Sequence, residues 1–252
     1  MRKIAISMMI AVSTTACVKS PKNEMANNPA EAFNYVADRF ADIEVLRYQA
    51  PGFEALSLGQ KQLLYHLSEA ALMGRDILYD QNNQYNLAIR RTLEAIYLNY
   101  TGDRENARFK ALETYLKRVW FANGIHHHYA EDKFVPGFAV DFFTDCVSGL
   151  DASLLPLRPG QTIEQWLAEI IPVMFQPDVM PKRTVQSGDG DLITASANNY
   201  YGEGVTMNEV EAFYAGQKAQ GDTIRPISYG LNSRLVKENG RLTEKVWKVG
   251  GL

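Results

Sequence analysis

Two cysteines among 252 residues, Cys17 and Cys146, allow at most one intramolecular disulfide, so a scaffold held by cross-links is excluded. An excess of one charge is missing too. The 26 Lys and Arg residues against 29 Asp and Glu give a net charge of −3, and the longest basic clusters are the pairs Arg90-Arg91, Lys117-Arg118 and Lys182-Arg183. That balance argues against nucleic acid as a partner. The N-terminal apolar run, residues 4–12, falls short of the roughly 20 residues that span a bilayer. Absent as well are His-Glu-x-x-His, Gly-x-Ser-x-Gly, a phosphate loop and a full Gly-x-Gly-x-x-Gly, since Gly202-Glu203-Gly204 continues as Val205-Thr206-Met207.

What is there suffices for a core. With 46% apolar residues, a chain of this length buries roughly 70–75% of its unfolded surface, as one domain or two small ones. Residues 1–17 have a basic start at Arg2 and Lys3, the short apolar run, and small residues leading to Cys17, which fits a secretory signal. Thr14-Thr15-Ala16-Cys17 resembles a relaxed bacterial lipobox. It predicts lipidation of Cys17, membrane attachment through that lipid anchor, and a cell-envelope location facing the periplasm or the exterior. Cleavage would remove two positive charges, and 24 − 29 leaves −5. Residues 18–28 have little to bury and read as a flexible tether.

The expected fold class is α+β and mainly helical, with residues 29–180 a helical region and residues 181–252 a mixed region ending in a β-hairpin. Phe33, Val36, Phe40 and Ile43 recur at three and four residues, which predicts a first helix. Ser57 and Gln60 form a capping box opening a second helix to Asp80. Its buried stripe is Leu63, Leu64, Leu67, Ala70, Ala71, Gly74, Ile77 and Leu78, with Gly74 permitting close helix contact. A third helix turns Leu87, Ile89, Leu93, Ile96 and Tyr97 inward, and a fourth, residues 103–121, Phe109, Leu112, Leu116, Val119 and Trp120.

Shorter helices are expected at 138–150 and 162–174, the second with Thr162 and Gln165 as a capping box. After Pro172, Pro177 and Pro181 the character changes. Asp189 and Asp191 lack the downstream ligands of a calcium loop and read as a solvated turn. Tyr200-Tyr201-Gly202 closes a short strand, and Thr206 with Glu209 caps a helix to about Gln220. Residues 229–236 and 241–249 flank Glu238-Asn239-Gly240 as a tight hairpin. So few residues follow that last strand that truncation is expected.

The segment best suited to a ligand is residues 119–136, where Asn123-Gly124 ends a helix and His126, His127, His128 and Tyr129 follow. Adjacent residues point about 100° apart on a helix and alternate on a strand, so the run offers at most two convergent ligands. A zinc enzyme wants three plus water. Packing and a substrate cleft therefore both suit these histidines better than a metal. Cys146, between Phe142, Phe143 and Leu150, reads as a core residue rather than a nucleophile.

Three blocks carry a family likeness: Leu64-Tyr65-His66-Leu67-Ser68-Glu69-Ala70-Ala71 with Gly74; residues 119–136, above all Asp132-Lys133-Phe134-Val135-Pro136; and Tyr200-Tyr201-Gly202 with Val205-Thr206-Met207-Asn208-Glu209, then Ser233-Arg234-Leu235. In order and spacing they resemble the N-terminal part of the dipeptidyl-peptidase III family of zinc exopeptidases. The resemblance implies part of the lower lobe of a two-lobed enzyme that releases dipeptides from the N-terminus of oligopeptides. It implies zinc as the cofactor of the full-length family, held by a His-Glu-x-x-x-His helix and a further Glu in polypeptide beyond this chain, and no zinc bound by this chain. It also implies short peptides as partners and Tyr129 facing the bound peptide. By extension Asn123, His126 and His128 are substrate-binding candidates, and no catalytic residue is assigned. The alternative is a non-catalytic peptide-binding or interaction lipoprotein.

Overall fold

The computed structural model describes residues 33–219 and 232–248. The signal segment, Cys17, the tether, residues 229–231 and Val249 lie outside them. The chain is α+β and mainly helical, with seven α-helices and two antiparallel hairpins among the described residues.

The helix expected from Phe33 to Ile43 is instead a hairpin, β1 (Val36–Phe40) and β2 (Ile43–Leu46), turned at Ala41 with φ 49°. Four apolar residues at helical spacing also serve alternation, because Val36 and Phe40 share one strand face. Tertiary contacts with a later helix decide between the two. Lys117 bonds Asp38 at 2.9 Å, Arg118 bonds Asp42 at 2.7 Å, and Phe121 meets Phe40 edge-on.

The second helix is also not as expected. Ser57 and Gln60 form their capping box, but the helix divides at Gly74 into α1 (Leu58–Met73) and α2 (Arg75–Asn82). No residue of α1 is buried, and Leu63, Leu64 and Leu67 are 58%, 45% and 56% exposed. The apolar stripe exists, but no described element covers it. Gly74 makes no close helix contact, since a Cβ there would meet only Ala71 O at 3.7 Å.

The core lies among α2, α3 (Asn86–Asn99), α4 (Ala107–Ala122), α5 (Val140–Ser148) and α6 (Ile163–Phe175). Ile89, Leu93 and Ile96 of α3 meet Leu112, Leu116 and Val119 of α4, all essentially unexposed. Each such side chain contributes about 1.5–3 kcal/mol by leaving water. The Thr162–Gln165 capping box opens α6, and Trp166 Nε1 donates to Thr92 Oγ1 of α3 at 3.2 Å.

A smaller core of Val205, Val210 and Leu235 holds α7 (Met207–Ala219) against the second hairpin, β3 (Ser233–Glu238) and β4 (Arg241–Val246). Asn239 and Gly240 turn it with φ 51° and 75°, as a two-residue loop of this hand requires. Residues 200–202 form a single parallel bridge, Tyr201 to Leu235. A Cβ on Gly202 would lie 3.2 Å from Val236 Cα, so the approach is close enough to favour glycine.

Candidate functional site

α4 ends on Asn123, left-handed at φ 53° and ψ 44°, and both its N–H and that of Gly124 reach Val119 O. Gly124 has φ 147°, and a Cβ there would lie 2.1 Å from Asn86 Nδ2. Only glycine lets the chain pass at this point. Asn86 is fully buried and satisfied on both ends: Nδ2 donates to Tyr79 O at 3.2 Å, and Oδ1 accepts the Ile125 N–H at 3.0 Å.

Its neighbours reach further. Asn82 donates to Asn123 O at 3.0 Å. Asn83, also fully buried, donates to Ala197 O at 3.1 Å and lies 3.2 Å from Met180 Sδ. Asp80 accepts Trp247 Nε1–H at 2.6 Å and an Asn199 amide N–H at 3.3 Å. Residues 80–86 thus tie the histidine loop to residues 180–199 and to the end of the second hairpin. Their only signal in the sequence is the density of short amides, which bond backbone groups readily wherever a helix ends.

The loop past Gly124 doubles back on itself. His127 N–H donates to Asp132 O at 2.7 Å and Phe134 N–H to Ile125 O at 2.8 Å. Its return limb pairs with residues 181–183, Lys133 N–H reaching Pro181 O and Arg183 N–H reaching Glu131 O. Glu131, at φ 66°, also forms a two-pronged ion pair with Arg183. Lys133 turns inward and its ammonium donates to the carbonyls of Val173, Gln176 and Val179, closing the C-terminal end of α6.

The candidate residues then separate. His126 is 2% exposed, and its Nε2 bonds Met180 O at 2.8 Å, which makes Nε2 the donor and leaves Nδ1 buried without a partner. Burial, aided by Lys133 and Arg183, pushes its pKa down to about 4. His127 Nδ1 accepts the N–H groups of Tyr129 and Ala130 at 3.1 and 3.0 Å. His128 stacks on His127, meets Phe121 edge-on, and has its pKa lowered chiefly by burial. Tyr129 stands 84% exposed at the tip, its ring 4.3 Å from that of His128. Asn123 serves as the helix cap. Tyr129 and His128 are therefore adjacent at the surface, whereas His126 lies beneath.

Beside this loop, Phe134, Val135 and Gly137 join Ala111, Tyr115 and Arg118 of α4 around a cavity of about 570 Å³. That size is within the range of ligand pockets. The Tyr115 hydroxyl is buried there without a partner. The arrangement can take an apolar side chain beside the basic groups of Lys110, Arg118 and Lys133, which share the lining.

Among the described residues no three His, Cys, Asp or Glu side chains converge on a metal position. His126 Nε2 is bonded to Met180 O and His127 Nδ1 to the loop's own backbone, whereas His126 Nδ1 and His128 Nδ1 are buried without a partner. Cys146 is half-buried, its thiol pushed up to about 11 first by burial, which leaves little thiolate. Comparison of the chain with protein-family models and with curated proteins finds no match.

Proposed function

We propose that this chain is the N-terminal, peptide-facing portion of a zinc dipeptidyl peptidase of the dipeptidyl-peptidase III type, lipid-anchored at the cell envelope, with the zinc held by polypeptide beyond it. The observation that supports this best is Tyr129, a largely exposed aromatic on a loop pinned by Gly124, His127 Nδ1 and the Glu131–Arg183 pair. An exposed ring on a pinned backbone offers contact area, and its hydroxyl can bond a peptide group. The cavity beside Phe134, apolar on one side and edged by Lys110 and Arg118, suits a substrate side chain. No step of hydrolysis is assigned to this chain's residues.

Titration calorimetry with a short peptide such as tetra-alanine tests the binding half. Saturable binding should weaken at least about tenfold in Tyr129→Ala, and unchanged affinity would sink the assignment. For the catalytic half, dipeptidyl-arylamide hydrolysis with added zinc should be absent from the 252-residue chain and arise once coding sequence downstream of Leu252 is restored. The burial of His126 against Met180 O supports a second reading, a non-catalytic peptide-binding lipoprotein. Binding without cleavage by the extended chain would favour it.

A further inference from the structure

Two asparagines in this chain precede a glycine, Asn123 before Gly124 and Asn239 before Gly240. The pair has a chemistry of its own. The backbone nitrogen after an asparagine can attack the side-chain carbon Cγ, and a glycine there leaves the approach open because it carries no Cβ. Both asparagines hold left-handed backbone, at φ 53° and φ 51°. At the Asn123 ψ of 44° the side chain and the next nitrogen lie on opposite sides of the Cα–C bond, so attack needs rotation out of this well. The cost of that rotation decides which pair reacts.

At Asn123 the cost is high. Gly124 is buried, and its N–H, the group that would attack, donates to Val119 O at 3.0 Å. Asn123 O accepts from Asn82 Nδ2 at 3.0 Å, and Gly124 lies against Asn86, which Tyr79 O and the Ile125 N–H hold in place. Rotation there breaks the joint beneath the histidine loop. Asn239 has different surroundings. It and Gly240 are exposed in a two-residue loop beyond the last ladder pair, Glu238 with Arg241, and nothing stands within 4 Å of a Cβ built on Gly240. An exposed hairpin tip opens at far smaller cost than a buried joint.

We propose that Asn239 is a site of spontaneous deamidation and isomerisation, and that the fold shields Asn123 from the same reaction. The Gly240 nitrogen gives its proton to hydroxide and bonds to Asn239 Cγ. The side-chain nitrogen takes a proton from water and leaves as ammonia, so a succinimide ring remains. Water then opens the ring at either carbonyl. One opening gives aspartate, which a tight turn accepts before glycine. The other gives isoaspartate, which routes the main chain through the side-chain methylene and lengthens a loop built for two residues. That product loosens the β3–β4 hairpin, whose far end carries the Trp247 bond to Asp80. The assignment does not rest on the peptidase reading.

The test is peptide mapping by mass spectrometry of the full chain held in mildly alkaline buffer, with a parallel sample in urea. In buffer the peptide containing Asn239 should convert at least about tenfold faster than the one containing Asn123. It should yield two products, isoaspartate and aspartate. In urea the two rates should come within about threefold of each other, because only the fold separates two pairs of the same sequence. An Asn239 that stays intact in buffer, equal rates there, faster conversion at Asn123, aspartate as the sole product, or a tenfold gap that persists in urea would each overturn the assignment.

Discussion

Asn86 and Gly124 make one joint, because the absence of a Cβ on the second gives the first room to hold Tyr79 O and Ile125 N–H together. Gly124→Ala puts a side chain into a backbone conformation worth about 1–3 kcal/mol of strain and into contact with Asn86. A fall in unfolding free energy of at least about 2 kcal/mol is expected in a urea titration. His126 supplies a pH dependence. Its folded pKa is about 4 against an ordinary 6.5, so between those values the unfolded chain binds more protons. Stability attributable to this group is complete above pH 6.5 and is lost as pH falls toward 4, by about 3 kcal/mol in all. His126→Gln, which keeps a donor for Met180 O, should flatten the denaturation midpoint over that window; an unchanged slope would show that the imidazole is not responsible.

Among the elements, α6 depends on a residue outside it. Lys133 bonds three carbonyls around its C-terminal end, so Lys133→Met leaves those acceptors unmatched at about 1–3 kcal/mol in total. Hydrogen exchange should quicken at Phe175–Val179 before it changes in α3. What could be read from the sequence follows the same division between local and distant causes. Both Ser57 and Thr162 capping boxes, the Asn239-Gly240 turn and the inward faces of α3 and α4 depend on residues a few positions apart, and all were legible. The β1–β2 hairpin was not, because its partners Lys117, Arg118 and Phe121 lie some 80 positions away. The loop's exposed tyrosine was legible as a feature. The burial of His126 was not, since it depends on Met180.

For the molecule as a whole, the uncovered face of α1 matters most. Leu63, Leu64 and Leu67 lie together on a helix with no buried residue, an exposed apolar strip of the kind that drives association. Replacing Leu64 and Leu67 by Glu should leave the thermal midpoint within about 0.5 kcal/mol equivalents of the parent, as substitutions away from packed groups do. The same change should reduce concentration-dependent light scattering, whereas a large loss of stability would mean that the strip is covered. A last consequence concerns assembly during synthesis. Asp80 waits for Trp247, 167 residues downstream, and Asn83 for Ala197, 114 residues downstream. A ribosome therefore releases the histidine loop well before its foundation can close, and the closing step must overcome the entropy of joining such distant stretches of chain. Asn86 and Asn82 hold the loop first, residues 181–183 pair with it next, and the bond of Trp247 to Asp80 beneath it comes last.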